Sequence, residues 1–201
     1  MRVHRVAAAV LLSSLLVCAA PRAYGAQGEG PAEFSFRSLD GGNVTSSDLR
    51  GKVAVLIFGD ARLRITKEQA ESVRLLASEF APKGVAFYLV STDSETPGSK
   101  NYASDEEVRE HLRRRGLQLP ILRDPEGRTL RKYGRGQIPL VVVLDGEGRV
   151  EGKPLEGFGP KGSFLRNLRP RLARLTDVRR VITPWRMQWN HRFSAAARGL
   201  S

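Results

Sequence analysis

The segment Phe58–Gln69, FGDARLRITKEQ, follows the apolar run Val53–Ile57 and opens an amphipathic stretch. A strand that ends in a short loop and feeds a helix is where many α/β proteins keep their chemistry, because the unpaired N–H groups at a helix start favour an anion. This loop contains no Cys, His or Ser. A Thr hydroxyl is a weak nucleophile without an adjacent base, and the only acidic group on offer, Asp60, does no redox chemistry. Thr66-Lys67-Glu68-Gln69 instead fits a capping box. Thr66 would be the N-cap, worth on the order of 1 kcal/mol.

Other reactive residue types give no second site. His4, His111 and His191 show no metal-ligand spacing. His111 reads as a solvent-side helix residue, and no metal or other cofactor is expected. Gly134-Arg135-Gly136 precedes a proline and a strand, not a helix, so it is no phosphate loop. The sole cysteine, Cys18, lies in an N-terminal apolar segment.

The elements that must position these residues follow from periodicity. Phe34 and Phe36 alternate with polar neighbours and suggest a short edge strand. Val53–Phe58, Val85–Ser91 and Leu140–Leu144 are continuous β-rich runs, the mark of strands buried on both faces. Ala70, Val73, Leu76, Ala77 and Phe80 recur at helical spacing and stop at Pro82 and Gly84. Ser104 and Glu107 form another capping box, for a helix ending at Gly116. Pro120–Leu122 is extended, Asp124–Gly127 a turn, and Thr129–Tyr133 a short helix. Asp145–Gly148 is a hairpin turn into a partner strand over Arg149–Gly152. Phe164, Leu165, Leu168, Leu172 and Leu175 mark an amphipathic helix over Gly162–Leu175, which Pro170 should kink or delay.

The organisation has four parts: residues 1–25, 26–32, 33–175 and 176–201. Residues 1–25 read as an export signal, with Arg2, His4 and Arg5 before the apolar core Ala7–Ala20 and small residues Ala23 and Gly25 before the cleavage point. LLVC resembles a lipoprotein box around Cys18, but Val17 stands where a smaller residue is expected. The expected location is periplasmic or extracellular, and the mature chain then has no cysteine. Residues 26–32 read as a linker. In the tail 176–201, Trp185, Trp189 and Phe193 fall on one helical face, interleaved with Arg186 and Arg192. A net charge of +12 fits an anionic partner, or simply an Arg-rich surface. The tail could pack on its own domain, lie at a membrane surface or dock on a protein partner. Export argues against nucleic acid.

Taken in order, several stretches resemble exported members of the thioredoxin-like superfamily, of the TlpA/ResA and AhpC/TSA (redoxin) type. FSFRSLDGGNVTSSDLRGKVAVLIF resembles the opening strands and first core strand of those proteins. EEVREHLRRRGLQLPILRDPEGRTLRKYGRGQIPLVVVLDGEGRV carries the family's helix, its P-x-L-x-D segment, its Tyr-Gly, an Ile138-Pro139 at the cis-proline place and the D-x-x-G-x-V hairpin. The resemblance implies a central mixed β-sheet flanked by helices, an α/β thioredoxin-like fold, with a C-terminal extension.

The family's signature is W-C-x-x-C at the start of the helix after the first core strand. A thiolate stabilised by the helix N-terminus attacks a disulfide there, and the second thiol resolves the mixed disulfide. On this sequence Arg62 stands at the tryptophan place, Leu63 at the nucleophile place and Thr66 at the resolving place. A peroxiredoxin reading fails for want of a peroxidatic cysteine. The likeness of LIFG to the Sco copper chaperones fails for want of soft ligands. The expected function is a non-catalytic binding or scaffold module for a protein partner, with Arg62, Leu63, Thr66, Ile138 and Pro139 as groove candidates. Family likeness alone implies an antioxidant or thiol–disulfide oxidoreductase instead.

Overall fold

In a computed structural model, the structure describes residues 33–61, 66–159 and 163–177. The expected export signal (1–25) and linker (26–32), Arg62, Leu63 and the tail residues Trp185, Arg186, Trp189, Arg192 and Phe193 lie outside the described residues. The elements run β1 (Ser35–Ser38), β2 (Asn43–Thr45), β3 (Val53–Gly59), α1 (Lys67–Phe80), β4 (Val85–Ser91) and α2 (Asp105–Arg114). They continue with β5 (Ile121–Arg123), α3 (Arg128–Tyr133), β6 (Leu140–Leu144) and β7 (Leu155–Glu156), and close with α4 over residues 163–177. The strands form one mixed sheet in the order β2-β1-β5-β4-β3-β6-β7. β3 and β4 pair in parallel through a helical crossover, as do β4 and β5, while β6 runs antiparallel to β3.

The three apolar runs occupy the middle of this sheet because each needs cover on both faces. Alternation along each strand divides their side chains. Val53, Val55, Ile57, Val141 and Val143 pack with Val73, Leu76 and Phe80 of α1, Val108 and Leu112 of α2, and Phe164, Leu168 and Leu172 of α4. Ala54, Leu56, Phe58, Leu140, Val142 and Leu144 face the other way, onto Phe34, Phe36, Leu49 and Leu130. Each fully buried Leu or Phe contributes about 1.5–3 kcal/mol.

Both expected capping boxes are present. The Thr66 side chain accepts from Gln69 N–H while Gln69 reaches back to the Thr66 N–H, and Ser104 and Glu107 do the same for α2.

Four details differ from the sequence reading. β1 is interior, because the Asn43–Thr45 segment supplies an outer strand and β5 pairs on its other side. Beyond the Asp145–Gly148 turn, Val150 makes only an isolated bridge to Leu144, and the ladder resumes at Leu155–Glu156. α4 continues through Pro170 without a late start, since its apolar face (Phe164, Leu168, Leu172) is buried along its length. His111 is half-buried rather than solvent-facing, because it lines the cavity between α2 and the end of β3. No helix among the described residues is long and apolar enough to cross a membrane.

Candidate functional site

The site-like loop is held at both ends. At its start, Gly59 C=O accepts from the Thr92 N–H at 2.8 Å and the Thr92 hydroxyl at 3.2 Å. The next anchor is Ala61, whose N–H donates to both oxygens of Asp93, at 3.1 and 2.9 Å. At its end, Thr66 accepts from Gln69 N–H at 3.2 Å and donates its own N–H to the Gln69 side chain at 2.9 Å. The Thr66 oxygen is thus engaged by the helix, as its place in a capping box requires.

Across the sheet end lies the second loop. The Ile138–Pro139 bond is cis. Phe58 pairs with Leu140, so continuing that register brings Gly59 opposite Pro139. Pro139 C=O accepts from Gly157 N–H at 2.7 Å, which ties the loop to the segment after β7. Ile138 packs on the Phe58 side of the sheet. The approach to it, Arg135-Gly136-Gln137, is exposed, and Gly136 takes a φ of 77°, a backbone form that suits glycine. Of the sequence-derived groove candidates, Thr66, Ile138 and Pro139 are therefore at one end of the sheet. Arg62 and Leu63 lie between the two anchored ends of the loop, outside the described residues.

Sequence reasoning missed the residues that hold this end together. Asp93 is 1% exposed, and besides Ala61 it receives the Ser91 hydroxyl at 2.8 Å. Arg123, 2% exposed, donates to that same Ser91 oxygen at 2.9 Å, to Ala103 C=O at 2.9 Å and to Glu95 at 3.2 Å. Asp105 lies 3.7 Å from its Nε. Arg37 on β1 grips both oxygens of Asp105, at 2.8 and 2.9 Å, and also bonds Glu95. A buried guanidinium is tolerated only with this kind of pairing.

Burial pushes the Asp93 carboxyl above the ordinary aspartate range, and Asp60 adds to this; the Ser91 hydroxyl, the Ala61 N–H and the Arg123 charge pull the other way. Hydrogen bonds from Arg37 hold Glu95 and Asp105 below the ordinary carboxylate range. A signal for Arg123 was present in the sequence: it is a charge within the short apolar piece Ile121–Arg123, where alternation turns it inward. Asp93 follows the carboxyl end of a parallel strand, where open α/β sheets place their sites.

Two cavities meet at Ala61 and His111. One, of about 20 Å³, is apolar and lies between Ile57, Leu89, Val108 and Leu112. The other is an open groove of about 510 Å³ along α2, beside Tyr102, Glu106, Glu110 and Arg114. On the opposite face, Tyr133 packs 6.1 Å from Phe58, and its hydroxyl is buried without a hydrogen-bond partner. Among the described residues there is no cluster of three or more His, Cys, Asp or Glu able to hold a metal.

The arrangement offers backbone groups and apolar side chains beside a cis-proline. It offers no thiol, because residues 33–177 contain no cysteine. Disulfide exchange needs a thiolate to attack sulfur.

Comparison with known proteins agrees with this geometry. The chain is 23% identical over 123 residues to the thiol-disulfide oxidoreductase ResA of Bacillus thuringiensis, covering 61% of this chain and 66% of that protein. It thus spans just under two thirds of the length of that relative. Among solved structures, one provisionally named as the thiol:disulfide interchange protein DsbE of Chlorobium tepidum superposes with a TM-score of 0.58 at 22% identity, over 72% of this chain and 96% of its own. A secreted disulfide oxidoreductase of Mycobacterium tuberculosis gives 0.54 at 20% identity, over 71% and 96%. At these identities the superpositions establish the thioredoxin-like fold. The AhpC/TSA family model matches residues 28–153, more than half of the chain. The chain therefore belongs to the AhpC/TSA family, as a thioredoxin-like member that lacks the dithiol.

Proposed function

We propose that this is an exported thioredoxin-fold protein that binds an extended segment of a protein partner without redox chemistry. The observation that carries the reading is the combination at one sheet end. The loop after β3 and the Ile138–Pro139 loop are both anchored, yet the domain read over 33–175 has no cysteine. An extended chain can add to such an end through backbone hydrogen bonds, with side-chain pockets setting specificity. Thr66, Ile138 and Pro139 belong to the contact surface in this reading, together with Arg62 and Leu63, which lie outside the described residues. Export rests on the signal-like residues 1–25 and is in keeping with a relative that is itself secreted. The tail, with Trp185, Trp189 and Phe193, would add a contact to a partner or a membrane surface.

The rival is a thiol–disulfide oxidoreductase or antioxidant, as the names of the relatives suggest. Its chemistry would require a sulfur nucleophile. The binding reading is tested with the full chain, isotope-labelled, titrated with an unfolded cysteine-free polypeptide. Amide shifts should concentrate at Gly59–Ala61 and around Ile138 and Leu140, and Ile138→Arg should weaken binding about tenfold or more. Saturable binding whose shifts lie wholly elsewhere, or binding unchanged in Ile138→Arg, would remove the groove from the account.

A further inference from the structure

We propose that Asp93, in its ionised form, is the positioning residue for Ala61, just beyond β3: its carboxylate fixes Ala61 against the end of the sheet, and neutralising it frees Ala61. This rests on the groove reading only for what the loop serves.

The geometry is that of a carboxylate aimed by its neighbours. Both Asp93 oxygens accept from the Ala61 N–H. The Ser91 hydroxyl has one proton, and it points to Asp93. Its oxygen meanwhile receives the Arg123 guanidinium at 2.9 Å and the Asp93 N–H at 3.3 Å. The hydroxyl is thus fully used, as one donor and two acceptances. The relay Arg123–Ser91–Asp93–Ala61 crosses from β5 through β4 to the end of β3. It holds Ala61 from the sheet interior, at the opposite end of the segment from the Thr66 cap. A buried polar group held this way has few alternative geometries.

The charged groups around Asp93 come from each neighbouring element. Asp60 stands on the loop itself, Arg123 on β5, Glu95 after β4, and Asp105 and His111 on α2; Arg37 on β1 reaches the cluster through Glu95 and Asp105. Asp60 opposes ionisation of Asp93 and Arg123 favours it. Burial places the Asp93 proton equilibrium above the ordinary aspartate range, whereas Arg37 holds those of Glu95 and Asp105 below theirs. As pH falls, Asp93 takes up its proton first. A protonated carboxyl keeps acceptor capacity but loses the charge that makes its bond to Ala61 strong. Ala61 is then released while the Arg37 cluster is still charged and the fold intact.

The test follows the Ala61 amide in the full-length, isotope-labelled protein between about pH 3 and about pH 8. In the natural sequence the Ala61 resonance should move in one step centred above the ordinary aspartate range. Its exchange protection, corrected for intrinsic rate, should fall about tenfold or more through that step, while Leu56 in the middle of β3 stays protected. In Asp93→Asn the step should vanish, with Ala61 weakly protected at every pH. A pH-independent Ala61 in the natural sequence, or full Ala61 protection in Asp93→Asn, overturns the proposal. Should Asp93→Asn not fold, the titration of the natural sequence alone decides. The readout needs no ligand, so absence of peptide binding or appearance of redox turnover would count against the proposed function without bearing on Asp93.

Discussion

At the scale of single residues, Thr66 and Asp93 show two different relations to the sequence. Thr66, the resolving place in the sequence resemblance, has its oxygen engaged by Gln69 N–H. Thr66→Ala should cost about 1 kcal/mol in urea unfolding, and Thr66→Ser should recover most of it. A capping box acts over four consecutive residues, so this role was legible in the sequence. The role of Asp93 was not, because its partners Ala61 and Arg123 lie some thirty positions away on either side and only the fold joins them. The folded protein holds the Asp93 proton more tightly than an unfolded chain does. Its carboxyl therefore contributes least to stability at neutral pH, and its cost appears as pH rises through the ordinary aspartate value to the raised one. The stability of Asp93→Asn relative to the natural sequence should therefore rise as pH increases through that window, while Ala61 is loosened. A relative stability that falls as pH increases through that window would contradict that sign. A charge kept at such a cost points to a local task, as strained or perturbed groups at sites do.

At the scale of elements, the long apolar runs and the capped helices were legible because burial on both faces and end signals are local properties. The neighbours of a strand are not. Phe34 and Phe36 alternate as an edge strand would, yet β1 is enclosed by β2 and β5, each of three residues. Strands this short carry too little pattern to be read from periodicity. β5 nevertheless supplies Arg123, which joins β1, β4 and α2 through Ser91, Ala103, Glu95 and Asp105. Arg123→Ala should cost about 3–5 kcal/mol, the range for breaking a buried charged network by removing one partner. Denaturant unfolding reads this directly, and a loss below about 1 kcal/mol would mean the network is dispensable. The Arg37 cluster has its own pH signature. The carboxyls of Glu95 and Asp105 are held down by Arg37, so their contribution is present above the ordinary carboxylate values and fades only as pH falls below them.

At the scale of the whole molecule, the order of segments was enough to expect the thioredoxin-like fold, because the family's turns, cis-proline and hairpin recur in sequence. The same order led to the two loops that meet at the end of β3. What the segments could not convey is that a fold built around a dithiol keeps its architecture when the dithiol is gone. The core on both sheet faces draws nothing from the missing sulfurs: Leu76, Phe80, Leu168 and Leu172 on one side and Phe36, Phe58 and Leu140 on the other are all buried. Fold and chemistry are separable here, and the fold alone names no activity. The claim that binding has replaced redox chemistry is therefore tested by turnover. The purified full-length protein with Cys18→Ser, supplied with a thiol reductant, should neither reduce insulin disulfides nor consume hydrogen peroxide above the rate of reductant alone. Turnover of either substrate that co-purifies with the protein would contradict the account.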